Sequence, residues 1–113
     1  MKFLLLGMIT ETGRRLGGPD LEAWMAEIGA WYEMQGGTGK LADAGYQLDT
    51  PATAKTVRMS GVTDGPFMES KEVLGGYSLL DTATIEEAVE LAKSWPGVDR
   101  GWITMEVRPV MAQ

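Results

Sequence analysis

The chain has 113 residues, of which 16 are acidic and 10 are basic, so its net charge is −6. This length fits a single domain over residues 1–113, and the acidic balance argues against direct nucleic-acid or anionic-membrane binding, because such surfaces need an excess of Lys and Arg. The sequence contains neither Cys nor His, which excludes disulfides, His-activated nucleophiles and nearly all zinc or haem sites. We therefore expect no metal and no cofactor.

The first predicted strand, residues 2–8, is apolar on both of its alternating faces, which is typical of a strand covered on both sides. A secretory signal is disfavoured, because the apolar run is short and no small-residue cleavage site follows it before Glu11. No apolar run approaches the roughly 20 residues needed to span a bilayer. We expect a cytoplasmic protein that does not enter a membrane.

Two amphipathic helices are predicted next along the chain. The first covers residues 20–35 and ends at Gly36-Gly37, and its apolar stripe consists of Leu21, Trp24, Met25, Ile28, Trp31 and Tyr32. The second begins at Thr84, where Thr84 to Glu87 matches the capping box, and it ends before Pro96.

Three further strands are predicted at residues 54–59, 76–80 and 102–107. The resulting order is strand, helix, strand, strand, helix, strand, which is the βαββαβ arrangement of a ferredoxin-like α+β fold with an antiparallel sheet and both helices on one face. The opposite face would then carry Trp102 and part of the first strand. Because that leaves a large apolar surface in water, we expect a homodimer that pairs sheet face to sheet face.

Four ordered segments of the chain resemble the YCII-related family, in particular its DGPF-motif group: Pro51 to Arg58, Thr63 to Phe67 with the charged residues that follow, Leu74 to Tyr77, and Val107 to Val110. The resemblance implies a dimeric α+β barrel, an architecture that cofactor-free monooxygenases and muconolactone isomerases also use. Some relatives have a His-Asp pair suspected of catalysis, which this His-free chain cannot reproduce. Other members are encoded near extracytoplasmic-function sigma factors, which suggests a regulatory partner.

The connections at about residues 36–53 and 60–74 are long for a small domain, so we expect them to carry function or dimer contacts. In the second of them, Asp64, Glu69 and Lys71 are the candidate catalytic residues, since a carboxylate beside a cation in a cleft can bind a polar molecule or move a proton. With Arg58 and Tyr77 they form the predicted ligand site. The structural alternative is that Asp64 shapes its Asp-Gly-Pro turn and that the other charges are solvated.

Three functions are considered, the first two from these residues and the third from what the family resemblance implies. The first is binding of a small polar molecule in a cleft near residues 64–77. The second is a cofactor-independent lyase, isomerase or monooxygenase-like activity, in which Asp64 or Glu69 acts as base and Lys71 or Arg58 stabilises an anion. The third is a protein-interaction module linked to sigma-factor regulation. The sequence leaves open whether the protein is an enzyme.

Overall fold

The computed structural model describes residues 1–67 and 70–112. Its elements in chain order are strand β1 (Lys2–Ile9), helix α1 (Glu11–Arg14), helix α2 (Gly18–Gly36), strand β2 (Leu41–Gln47), strands β3 (Lys55–Arg58) and β4 (Gly61–Asp64), strand β5 (Val73–Asp81), helix α3 (Ile85–Lys93) and strand β6 (Ile103–Pro109). A four-stranded antiparallel sheet has the order β2-β5-β1-β6. The predicted ferredoxin-like α+β fold, with helices on one sheet face, is therefore confirmed.

Strand β1 lies in the middle of the sheet, and its alternate residues separate two environments. Phe3 and Leu5 are buried in the core beneath the helices. Leu4, Leu6 and Met8 point to the other side and are only half-buried. The strand is thus apolar on both faces, as predicted, but the helices of one chain cover only one of them.

The core between helices and sheet is rich in aromatic side chains. Trp24 and Trp31 are the buried residues of α2, while α3 contributes the small residues Ala88 and Ala92. Helix α3 begins as predicted, because the Thr84 side chain accepts a hydrogen bond of 3.2 Å from the Glu87 amide. Of the described helices, none is both long and apolar enough to cross a membrane.

The predicted position of the second sheet strand is wrong. Residues 54–59 do not enter the main sheet; strand β3 instead forms a separate hairpin with β4. The sheet position belongs to β2, within a stretch that we expected to be a loop. Its pairing with β5 has two register shifts, and Gly45 has a φ of 70° next to the Tyr77 carbonyl. Such an irregular strand lacks the regular alternation that sequence patterns detect.

The predicted placement of Trp102 on the uncovered sheet face is also wrong. Its ring lies on the helix side, edge-on to Trp24 with 5.4 Å between ring centroids. Trp102 directly precedes β6, which begins at Ile103, so the alternation of the strand does not fix its direction. The Arg100 guanidinium lies over the Trp102 ring, 4.0 Å from the ring centroid.

The sheet face opposite the helices, called the open sheet face below, is largely apolar along its central strands. Its residues, assigned from the strand register, are Leu4, Leu6, Met8, Leu74, Tyr77, Leu79, Thr104, Glu106 and Arg108. Leu74 and Tyr77 are the more exposed of its large apolar side chains. The homodimer remains a prediction, because the structure describes one chain.

Candidate functional site

A cavity of about 680 Å³ lies between α2 and the sheet. Gly7 of β1 and Gly76 of β5 form part of its floor and stand directly opposite each other in the strand register. By alternation, both would direct a side chain toward α2, in line with the buried Leu5 and Ser78. An added Cβ would lie only 3.1 Å from Ile103 Cδ1 at Gly7 and 3.0 Å from the Tyr46 carbonyl oxygen at Gly76, so a larger side chain at either position would displace a neighbour or enter the cavity.

Helix α2 forms the roof of this cavity. Its lining residues recur at successive turns: Leu21, Trp24, Met25, Ile28 and Tyr32. From Leu21 to Tyr32 the helix advances about 16 Å, given a rise of about 1.5 Å per residue. Leu21 and Met25 remain partly exposed, because they face the cavity instead of closing onto the sheet. The cavity is thus elongated and mostly apolar.

The buried end of the cavity holds a chain of hydrogen bonds. Trp95 Nε1 donates to the Tyr32 hydroxyl at 3.3 Å, that hydroxyl lies 2.6 Å from Ser78 Oγ, and Ser78 Oγ donates to the Ala44 carbonyl at 2.8 Å. Because the carbonyl can only accept, the single Ser78 proton goes to it, and Tyr32 must donate to Ser78. Both hydroxyl protons are then used. Only acceptor capacity remains, so this end can receive a hydrogen bond from a ligand hydroxyl or N–H group.

The solvent-facing end of the cavity, called the mouth below, carries one cation and one anion. Arg14 follows β1 and Asp49 follows β2, and both are exposed lining residues. Strands β1 and β2 flank β5 in the sheet, so they are about 10 Å apart. One oxygen of Asp49 accepts a hydrogen bond of 2.7 Å from the Thr50 amide. The mouth therefore presents opposite charges on its two sides.

The predicted site residues Asp64 and Arg58 have partners within the hairpin. Asp64 forms an ion pair with Lys55 across the β3–β4 register, and both side chains are mainly exposed. Arg58 donates to the Phe67 carbonyl at 3.0 Å and lies 5.4 Å from the centroid of the Phe67 ring. The predicted Asp-Gly-Pro turn is present, with Gly65 at a φ of 93°. These contacts place both charged residues where they hold the hairpin together.

The other predicted residues are dispersed. The Lys71 side chain is exposed, and its main-chain carbonyl accepts a hydrogen bond of 2.7 Å from Arg14. Tyr77 borders the cavity, but the strand register directs its side chain to the open sheet face, where its ring lies 6.4 Å from that of Tyr46. Glu69 lies outside the described residues. The structure thus does not gather Arg58, Asp64 and Tyr77 around one cleft.

We expect Asp64→Asn to change the free energy of unfolding by no more than about 1 kcal/mol, because the described partner of its side chain is Lys55 and exposed ion pairs contribute little. Ligand binding in the cavity should be unchanged. Urea denaturation and ligand titration of the parent, Asp64→Asn and Lys55→Gln chains test this. Weakened binding by Asp64→Asn at near-parent stability would return Asp64 to the binding site.

The residues that give the cavity its chemistry were not selected by sequence reasoning. Tyr32 belonged to the apolar stripe of the first helix, and Ser78 to a strand, 46 positions further along the chain. No spacing rule joins two such residues. The available signal was glycine: Gly7 interrupts an otherwise bulky buried strand, and Gly75-Gly76 interrupts its partner.

Two further observations concern charge. Within residues 1–67 and 70–112, no three Asp or Glu side chains come close enough together to hold a metal ion. The pKa of Arg100 is raised above its ordinary value, first by its hydrogen bond to Glu27. Since a guanidinium is charged throughout the physiological range, the raised pKa of Arg100 has no effect there, and the pair with Glu27 serves to tie α2 to the turn before β6.

The fold and the cavity define a ferredoxin-like α+β domain with a ligand-sized space between its helix layer and its sheet. The family profile of the YCII-related domain matches residues 1–112, and the chain belongs to this family. An uncharacterised protein of Rhizobium meliloti (strain 1021) is 36% identical over 75 residues. That match covers 64% of this chain and 60% of the relative, which is less than two thirds of the relative's length.

A solved structure of similar fold is that of 5-chloro-2-hydroxyhydroquinone dehydrochlorinase from Burkholderia phenoliruptrix, in complex with 2,5-dihydroxybenzoquinone. The two chains superpose with a TM-score of 0.57 at 14% sequence identity, covering 100% of this chain and 96% of the other. At this identity the likeness supports the fold alone.

Proposed function

We propose that this YCII-related protein binds a small, largely apolar molecule with a hydroxyl or N–H group in the cavity beneath α2. The observation that carries the proposal is the pair of acceptors, Tyr32 and Ser78, at the buried end of a mostly apolar space. Both hydroxyl protons are already donated, so a ligand that carries a donor gains a hydrogen bond here that a ligand without one cannot make. The dehydrochlorinase of similar fold is complexed with a hydroxylated six-membered ring, which fits this ligand class.

This proposal changes the ligand predicted from the sequence in two respects. The molecule is more apolar than we expected, and of the described residues in the 64–77 segment, those that line the cavity are residues 73–77, at its end. The Asp64 to Phe67 segment, on which we base assignment to the DGPF-motif group, instead shapes the hairpin. We also propose a cytoplasmic location, and the support for it comes from the sequence alone.

The binding proposal can be tested with the matched compounds 4-ethylphenol and 4-ethylanisole, which differ in that only the phenol can donate a hydrogen bond. Trp24 and Trp95 line the cavity, so a bound ring should alter the intrinsic tryptophan fluorescence. We expect saturable binding of the phenol, about threefold to tenfold tighter than that of the anisole, as one hydrogen bond contributes. Tyr32→Phe should remove most of this preference.

Two outcomes would contradict the proposal. One is the absence of saturable binding for either compound. The other is equal affinity for the two compounds in the parent chain. Because Tyr32→Phe also leaves the Trp95 N–H without its acceptor, its thermal stability should be measured alongside, and the comparison is made between ligands within each variant.

A cofactor-independent lyase or isomerase activity is a second candidate, favoured by the named activity of the dehydrochlorinase. Tyr32 would then be the proton-transferring group, and its hydroxyl would have to turn from Ser78 toward the substrate, because its proton is otherwise donated to Ser78. Recovery of a bound compound and its examination by NMR separate the two functions. A chemically altered compound indicates catalysis, and an unaltered one indicates binding alone.

We further propose that two copies of the chain associate through the open sheet face. Its centre is apolar, and its β6 edge carries opposite charges at alternate positions: Glu106 beside Leu6, and Arg108 beside Leu4. Within one chain these charges already lie 2.5 Å apart. In a two-fold interface the same surface of both copies is in contact. The acidic residue of one copy can therefore lie opposite the basic residue of the other.

A further inference from the structure

We infer that the ligand of the cavity is an elongated organic monoanion, with its donor group at Tyr32 and Ser78 and its carboxylate at Arg14. This inference rests on the proposed binding function and adds the charge and length of the ligand. Its basis is the position, partners and charge of Arg14 at the mouth.

The backbone of Arg14 is held firmly in place. Thr10 caps the short helix α1, accepting a hydrogen bond of 3.1 Å from the Gly13 amide. Gly13 itself lies so close to the start of β6 that an added Cβ would be 2.1 Å from the Trp102 carbonyl oxygen. Only glycine fits this approach. Helix α1 is therefore pinned to the sheet, and Arg14 is fixed in position at the mouth.

Among the described residues, the partner that orients the Arg14 side chain is an uncharged one. One nitrogen, Nη2, donates to the Lys71 carbonyl at 2.7 Å, and a carbonyl carries no net charge. None of the described carboxylates lies within ion-pair distance of Arg14. A guanidinium has five N–H donors in a planar fork suited to a carboxylate. Its charge and its remaining donors are therefore available to a ligand.

The second charge at the mouth limits the kind of anion. Asp49 follows β2 and Arg14 follows β1, and these two strands are about 10 Å apart. A single negative group is attracted to the Arg14 side and repelled from the Asp49 side, which gives the ligand one orientation. A ligand with several negative charges would also place one of them near Asp49, which would repel it. The charge pattern thus favours one carboxylate, and the lining of about 16 Å along α2 favours a long body.

The experiment uses 4-hydroxyphenyl alkanoic acids of increasing chain length, each paired with its uncharged primary amide. The proteins are the parent chain, Arg14→Gln and Arg15→Gln. Arg15 is the neighbouring exposed arginine and does not line the cavity, so the two variants carry the same net charge. Affinity is measured by tryptophan fluorescence.

We expect the parent and Arg15→Gln to bind the acid about fivefold more tightly than the amide once the chain is long enough, as for an exposed ion pair of about 1 kcal/mol. Arg14→Gln should bind both equally. The preference should also weaken as salt is raised, since the mouth is open to solvent.

Equal affinity for acid and amide at every chain length in the parent would overturn the inference. An equal loss of preference in Arg14→Gln and Arg15→Gln would do the same, because it would reflect net charge alone. In both cases binding of 4-ethylphenol would leave the proposed function standing. If neither 4-ethylphenol nor any member of the series binds, the proposed function fails together with the inference.

Discussion

Phe3→Ala should lower the free energy of unfolding by about 3–5 kcal/mol, the loss typical of a fully buried aromatic side chain. Phe3 is 0% exposed and lies in the central strand of the sheet, within the cluster that joins the sheet to both helices. Its removal leaves a void between layers that are already held apart by the ligand cavity. The loss is a large fraction of the stability of an ordinary domain.

Phe67→Ala is the matched control, because the sequence has two phenylalanines and they occupy opposite environments. Phe67 is 70% exposed at the end of the hairpin, below the Arg58 guanidinium. We expect a loss of about 1 kcal/mol or less from this exposed contact. Urea denaturation should be followed at one fixed protein concentration, since dimerisation would couple stability to concentration. Equal losses for the two variants would show that the hairpin is buried against something in solution.

The parts of the fold that the sequence predicted are those with a regular period and strong end signals. The apolar stripe of α2 and the capping box at Thr84 both mark helices that the structure contains. The first and last strands also carry clear apolar patterns. Together, these helix and strand patterns predicted the βαββαβ class correctly, even though one strand was assigned to the wrong residues.

Strand β2 escaped prediction because its stability comes from its partner. The sequence from Leu41 to Gln47 contains Asp43 and Gly45, which are poor strand formers. In the structure, Asp43 accepts a hydrogen bond of 2.8 Å from the Gly45 amide, and the strand still pairs with β5 through two irregularities. Conversely, the regular alternation of residues 55–58 is real, but it serves a two-stranded hairpin. A local pattern cannot say which sheet a strand joins.

The site was harder to predict for a different physical reason. Sequence reasoning selected charged residues in a distinctive turn, and those form local contacts such as the pair of Asp64 with Lys55. Part of the cavity floor is formed by Gly7 and Gly76, which are paired across the sheet but 69 positions apart along the chain. An empty space has no residue type of its own. Only the three-dimensional register shows that these glycines meet beneath α2.

The open sheet face provides the second large expected effect: Leu6→Lys should weaken self-association at least about 100-fold. Leu6 lies at the centre of this face, between Tyr77 of β5 and Glu106 of β6. In a single chain the new ammonium group can pair with the neighbouring Glu106, so the fold should persist. In a dimer the same charge would be buried at the middle of an apolar interface, which costs several kcal/mol.

Val57→Lys is the control for this prediction, because it makes a similar apolar-to-cation change on the hairpin, where Val57 is 76% exposed. Sedimentation equilibrium across the micromolar range should give a dimer for the parent and for Val57→Lys, and a folded monomer for Leu6→Lys. A parent chain that stays monomeric at tens of micromolar would contradict the dimer, since an interface of standard size holds at that concentration. Dissociation by Val57→Lys, with Leu6→Lys still dimeric, would instead assign the interface to the hairpin, because only the surface that is buried between the copies is sensitive to a new charge.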